Sequence, residues 1–220
     1  MNRPLIAILI ALLAAGCTPP DPPMEEVLEE PPVVAPEIAE PQLWIAGGQS
    51  NMVTDIPEMF AEGLSLSIDA EVSIIQTALL STAISCWRFG AVCFEQQRHL
   101  IEGVQANGVI WWQGESDALS GSETYEADLV TMIQEWRDVI GVDAPFLIVE
   151  LQLHPDSSST VEEWQRVQDA QHAVATTLPG VYVIETSDIV LPDANHHPTY
   201  AYRVIAQRLA DKAAEISQQK

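Results

Sequence analysis

From residue 42 onward the chain alternates short, predominantly apolar runs with longer stretches of helical periodicity. The runs are Leu43–Gly47, Val72–Leu79, Gly108–Trp112 (GVIWW), Pro145–Leu153 (PFLIVELQL) and Val181–Glu185 (VYVIE). A strand wetted on one face alternates apolar and polar residues, whereas a continuous run is the mark of a strand buried on both faces. Between the runs, roughly Glu95–Asn107, Ser122–Ile140, Val161–Leu178 and Thr199–Gln218 carry apolar side chains at a spacing near three to four, the stripe of a helix with one covered face. Five strands with helices between them predict an α/β fold: a three-layer α/β/α sandwich, with about five strands in a parallel sheet. Ligands of such sheets sit beyond the carboxyl ends of the strands, so chemistry is expected just after each run.

Charge removes several function classes. The chain carries 32 Asp and Glu against nine Lys and Arg, a net charge of −23. A nucleic-acid binder needs a basic surface to release counterions, and a polybasic patch is needed to hold anionic lipid; neither exists here. Three cysteines, none in a CxxC pair, argue against a structural zinc site.

Residues 1–17 read MNRPLIAILIALLAAGC: one arginine, an apolar stretch too short to span a bilayer comfortably, then small residues. This is the order of a secretory signal. The ending Leu-Ala-Ala-Gly-Cys resembles a bacterial lipobox, which implies cleavage before Cys17 and lipid on that cysteine; an ordinary cleaved signal with an incidental cysteine is the alternative. Residues 18–41 hold eight of the fifteen prolines and seven acids. Proline favours extended backbone and like charges repel, so this segment reads as a solvated spacer. The expected organisation is a signal at 1–16, a lipidated cysteine and tether at 17–41, and one domain at 42–220, anchored in the bacterial cell envelope on its periplasmic or outer side. Export permits a disulfide between Cys86 and Cys93, but spacing alone leaves their pairing open.

Three blocks follow the apolar runs. Gly47-Gly48-Gln49-Ser50-Asn51-Met52 puts a serine where a strand turns toward a helix, a position suited either to a nucleophile beside free backbone N–H groups or to a helix cap. Trp111-Trp112-Gln113-Gly114-Glu115-Ser116-Asp117 gathers indoles that could face a sugar, an amide that could donate to an oxyanion, and two acids. Asp193-Ala194-Asn195-His196-His197-Pro198 follows the last run. There a carboxylate could orient an imidazole whose other nitrogen reaches a serine. No G-x-S-x-G elbow is present.

GGQSNM, WWQGESD and DANHHP together resemble the signature blocks of SGNH hydrolases, and more narrowly the sialate O-acetylesterase-like group that includes carbohydrate esterase family six. Leu80-Ser81-Thr82-Ala83-Ile84-Ser85-Cys86-Trp87 is similar to the GGTSI-x-x-W segment of that group. The resemblance covers about Leu43 to Ala210. It implies a flavodoxin-like hydrolase removing O-acetyl groups from carbohydrate, with Ser50 as nucleophile, His196 as base and Asp193 as its orienting acid; His197 is the alternative base. It further implies oxyanion and substrate-binding roles for Gln49, Asn51, Ser81, Gln113 and Glu115, and a reaction that needs neither metal nor cofactor. Where relatives have Gly-Gly-Thr this chain has Leu80-Ser81-Thr82, so a turn with positive φ would strain a residue bearing a Cβ. The span from Met52 to Val72 is short, which implies reduced substrate-binding loops. Two other readings stay open: a cell-envelope lipase, thioesterase or O-acetyltransferase with the same triad, and a non-catalytic glycan-binding lipoprotein.

Overall fold

The computed structural model describes residues 40–121, 123–153, 159–189 and 199–219. The signal, Cys17 and most of the tether lie outside these residues. All five apolar runs are strands: β1 (Gln42–Gly48), β2 (Val72–Gln76), β3 (Gly108–Trp112), β4 (Phe146–Val149) and β5 (Val181–Ile184). They form one parallel sheet in the order β2-β1-β3-β4-β5. Among the described residues six helices accompany them: α1 (Ile56–Ile68), α2 (Val92–Ile101), α3 (Glu115–Ser120), α4 (Tyr125–Ile140), α5 (Val161–Thr177) and α6 (Thr199–Ser217). Two 3-10 turns, Ser50–Met52 and Ile84–Trp87, come after β1 and β2.

The central strands are buried on both faces, as continuous apolar runs require. Ile45, Val109, Trp111, Phe146 and Ile148 pack against α2, α4 and α5. Trp44, Ala46, Ile110, Trp112, Leu147 and Val149 pack against α1 and α6. Trp111 and Trp112 are both fully enclosed, so neither indole offers a face to a sugar, contrary to one expectation from the sequence. Trp87, Trp111 and Trp136 instead meet edge to face, with ring centroids 5.5–6.0 Å apart.

Between Met52 and Val72 the chain forms helix α1, which the sequence reading does not single out. Pro57 suits a first helical turn, and Ile56, Phe60 and Leu64 recur every four residues on its buried side. Gly63 brings α1 close to α6: a Cβ there would lie 3.1 Å from Ala210 Cβ. Helix α2 starts at Val92, earlier than its periodicity suggests, and ends at Ile101 because Glu102 is extended and Gly103 takes a φ of 80°. Strand β4 is shorter than its apolar run because Leu151 donates its N–H to the Gln171 side chain rather than to a neighbouring strand. Cys86 and Cys93 form a disulfide, with Cα atoms 5.1 Å apart, linking the second 3-10 turn to the start of α2.

The chain leaves β1 for β2 on one side of the sheet and later adds β3 on the other. The carboxyl ends of β1 and β3 therefore flank the topological switch point, where open parallel sheets form their crevice. The two strands approach very closely there. A Cβ on Gly48 would lie 2.0 Å from Trp112 O, and Gly48 has a φ of 123°. Only glycine fits.

Phe60, fully buried, packs edge-on against Trp44 with centroids 5.2 Å apart. Phe60→Ala is expected to cost about 3–5 kcal/mol, read as a lower urea midpoint with an unchanged slope.

Candidate active site

Past Gly48, the Gln49 N–H donates to Trp112 O at 2.8 Å, which turns the chain away from the sheet. Ser50 opens the first 3-10 turn, half-buried. Past β2, the Leu79 N–H donates to Gly48 O at 3.0 Å, so the second turn starts beside the first. In it Ser81 has a φ of 55°, the left-handed conformation that the Leu80-Ser81 substitution made a concern. For a residue with a Cβ this costs about 1–2 kcal/mol. The backbone N–H groups of Ser50 and Ser81 find no acceptor among the described residues.

Gln113, fully buried after β3, joins the two turns. Its Nε2 donates to Thr82 O at 3.0 Å and to Asp117 Oδ2 at 2.5 Å, with a longer contact of 3.4 Å to Gln49 Oε1. An amide nitrogen has two hydrogens, and here protein acceptors occupy them. Gln113 is held in turn through its backbone carbonyl, which accepts from Tyr125 Oη at 3.2 Å and Gln171 Nε2 at 3.1 Å.

Glu115 lies one residue past Gly114, at the start of α3. Its Oε1 accepts from Asn51 Nδ2 at 2.7 Å, and Asn51 Oδ1 accepts from Tyr202 Oη at 3.0 Å. This relay joins the Ser50 turn to α3 and to the first turns of α6. The other carboxylate oxygen, Oε2, is enclosed and has no hydrogen-bond partner among the described residues. Burial pushes the Glu115 carboxyl above its ordinary range, and the nearby Asp117 adds to the rise against the Asn51 hydrogen bond. Burial raises Asp117 as well, against hydrogen bonds from Gln113 and Ile84.

Gln49, Ser50, Asn51, Ser81, Gln113 and Glu115, scattered over 67 residues of sequence, are thus gathered at the ends of β1, β2 and β3. Asp193, His196 and His197 lie outside the described residues. The chain leading to them is tightly held. Glu150, buried just after β4, accepts from the N–H groups of Thr186 and Ser187 at 2.8 and 3.1 Å, and its Oε1 lies 2.8 Å from His172 Nε2. Gln152 Nε2 donates to Thr186 O and Ile189 O. Sequence reasoning singles out none of Glu150, Gln152 or His172. The available signal is a lone acid interrupting an apolar run at a strand end.

The raised Glu115 carboxyl gives a signed expectation. A carboxyl whose pKa rises on folding holds its proton more tightly in the native state. Stability therefore falls as pH rises from the unfolded carboxylate range through the native pKa. Glu115→Gln, which has the shape of the protonated acid, is expected to remove that slope. In thermal melts the variant should exceed the wild type at pH 7 and converge with it below about pH 4.

Comparison with known proteins places the chain in a family. Residues 57–215 match the model of the carbohydrate esterase family described as sialic acid-specific acetylesterase. The match includes Ser81, Gln113 and Glu115; Ser50 lies just ahead of it. Among curated proteins, no sequence matches. Among solved structures, a carbohydrate acetylesterase from Xanthomonas citri superposes with a TM-score of 0.72 at 21% identity, over 81% of this chain and 57% of that one. The chain thus spans little more than half of that protein's length. A protein from Arabidopsis thaliana superposes with a TM-score of 0.67 at 19% identity, covering 79% of this chain and 98% of that one. Est24, a carbohydrate acetylesterase from Sinorhizobium meliloti, gives 0.61 at 14% identity, covering 80% and 99%. At these identities the superpositions establish a shared fold, and the family match over most of the domain establishes kinship. The chain belongs to the sialic acid-specific acetylesterase family of carbohydrate esterases, which are carboxylic ester hydrolases.

Proposed function

We propose that this chain is a serine esterase that removes O-acetyl groups from carbohydrate through an acetyl-enzyme. The observation that carries the reading is the pair of backbone N–H groups at Ser50 and Ser81, on adjoining turns at the switch point and without acceptors among the described residues. Such donors suit the oxyanion of a tetrahedral intermediate. In the first step His196 takes the Ser50 proton as Oγ attacks the acetyl carbonyl, with Asp193 holding the imidazole; His197 is the alternative base. The sugar oxygen leaves with that proton. In the second step His196 draws a proton from the water that attacks the acetyl-serine and passes it to Ser50 Oγ as that oxygen leaves, which releases acetate and restores the serine. The Gln113 hydrogen bonds support a role for that residue in holding the turns rather than in contacting the oxyanion.

The proposal extends to location: a bacterial envelope lipoprotein held through lipid on Cys17, with residues 18–41 as its tether. The Cys86–Cys93 disulfide supports export, since oxidising compartments preserve such bonds. The proposed substrate partner is an acetylated carbohydrate, of sialate or xylan type, with no nucleic-acid partner.

The test is hydrolysis of 4-nitrophenyl acetate and butyrate by residues 42–220, wild type beside Ser50→Ala. Acetate is expected to be preferred, and Ser50→Ala to lower kcat by at least about 10⁴-fold. A preference for butyrate would favour the lipase reading. The absence of Ser50-dependent turnover in a folded domain would favour the non-catalytic glycan-binding reading. In the wild type, kcat/KM is expected to decline as pH falls through about 6–7, because an imidazole base is then lost. A flat profile there would exclude a histidine base.

A further inference from the structure

Asp117 is an expensive residue for this fold to keep. It is 2% exposed, and none of the cations among the described residues pairs with it. A buried, unpaired carboxyl is retained only where its hydrogen bonds do something specific. One oxygen, Oδ2, makes two of them: it accepts the Ile84 N–H at 2.9 Å and the Gln113 Nε2–H. The same Gln113 nitrogen holds Thr82 O at 3.0 Å. Asp117 therefore grips the segment after Ser81 twice, directly at Ile84 and through Gln113 at Thr82. The segment before Ser81 is held by Leu79 N–H on Gly48 O, and Thr82 Oγ1 closes the turn by donating to Leu79 O at 3.0 Å. Ser81 lies between these anchors at a φ of 55° and is exposed. A free turn of this sequence would relax toward negative φ and rotate the Ser81 peptide.

We infer that Asp117 is a positioning residue for the reaction: its carboxylate, acting at Ile84 and through Gln113 at Thr82, holds Ser81 in the left-handed conformation that presents its N–H to the oxyanion. The inference rests on the esterase reading above, and goes beyond it in assigning a residue that touches neither substrate nor nucleophile.

The test is a double-mutant cycle between Asp117 and Ser81 in the 42–220 domain, with kcat and KM measured on 4-nitrophenyl acetate. Asp117→Ala is expected to lower kcat by about 10²–10³-fold, the cost of one misplaced oxyanion donor, with KM changed by no more than a few-fold. Asp117→Asn keeps an oxygen that can accept both N–H groups, and is expected to stay within about tenfold of the wild type. Adding Ser81→Gly to Asp117→Ala is expected to restore at least about tenfold in kcat, since glycine adopts the left-handed conformation without strain. A purely structural Asp117 would show no such recovery, and additive effects of the two substitutions on kcat would overturn the inference. If Asp117→Ala does not fold, Asp117→Ser supports the same cycle, its hydroxyl being too short to span both donors. A second readout is independent of turnover: amide hydrogen exchange in residues 79–84 is expected to quicken in the Asp117 variant relative to the flanking strands. Unchanged exchange there would also overturn the inference. Loss of Ser50-dependent turnover in the wild type would instead remove the esterase reading and leave the exchange result to decide whether Asp117 holds the turn.

Discussion

The close approach of β1 and β3 at Gly48 and Trp112 sets the geometry of the site beyond it. The separation leaves no room for a Cβ, and the Gln49 N–H then bonds to Trp112 O, so the chain must turn out of the sheet just before Ser50. The same crossing lets Gln113, the residue after Trp112, reach both the Ser50 turn and the Ser81 turn with one amide nitrogen. A wider spacing would separate the serine from the second turn. The tryptophans behind the crossing belong to the same construction, because Gly47 and Gly108 make room for the rings of Trp111 and Trp44.

Among the described residues, the site around this crossing is organised by buried polar groups rather than by ion pairs. Gln113, Asp117, Asn51 and Gln171 are each at most 5% exposed, and each is engaged by hydrogen bonds. Two carboxyls, Glu115 and Asp117, are kept in surroundings that penalise their charge. A site of this kind sacrifices stability for fixed geometry, since each buried polar group must keep its partners or cost the fold its full desolvation. Charge pairs lie elsewhere: Arg88 with Asp128 and Glu135, and Arg208 with Asp188, are partly exposed and brace loops. The strong negative charge of the chain leaves few cations to spare for a pocket.

Most of the fold is legible in the sequence because its signals are local. Each β-strand falls within a predominantly apolar run, and four of the longer helices show their stripe within one or two turns of sequence. Helix α1 carries the same stripe at Ile56, Phe60 and Leu64, yet judging that segment by its length against relatives, instead of by its own periodicity, hides it. The tryptophans mislead for a different reason. An indole beside a candidate site is compatible with sugar stacking and with a core, and only the positions of α4 and α6 decide between them. Pairing of Cys86 with Cys93 stays open in the sequence because spacing allows it without requiring it.

The sequence by itself determined the layered α/β architecture, the strand ends at which chemistry could lie, and the serine, amide and acid motifs, since each depends on residue type and short-range spacing. The tertiary structure decided how those motifs act together. Strand order brought residues from β1, β2 and β3 to one crevice. Ser81 takes a left-handed φ in a turn tied to residues as distant in sequence as Asp117, and the Gln113 amide bonds both to that turn and to Asp117. These outcomes depend on contacts between residues tens of positions apart, and no local pattern encodes the direction in which a side chain's two hydrogens will finally point.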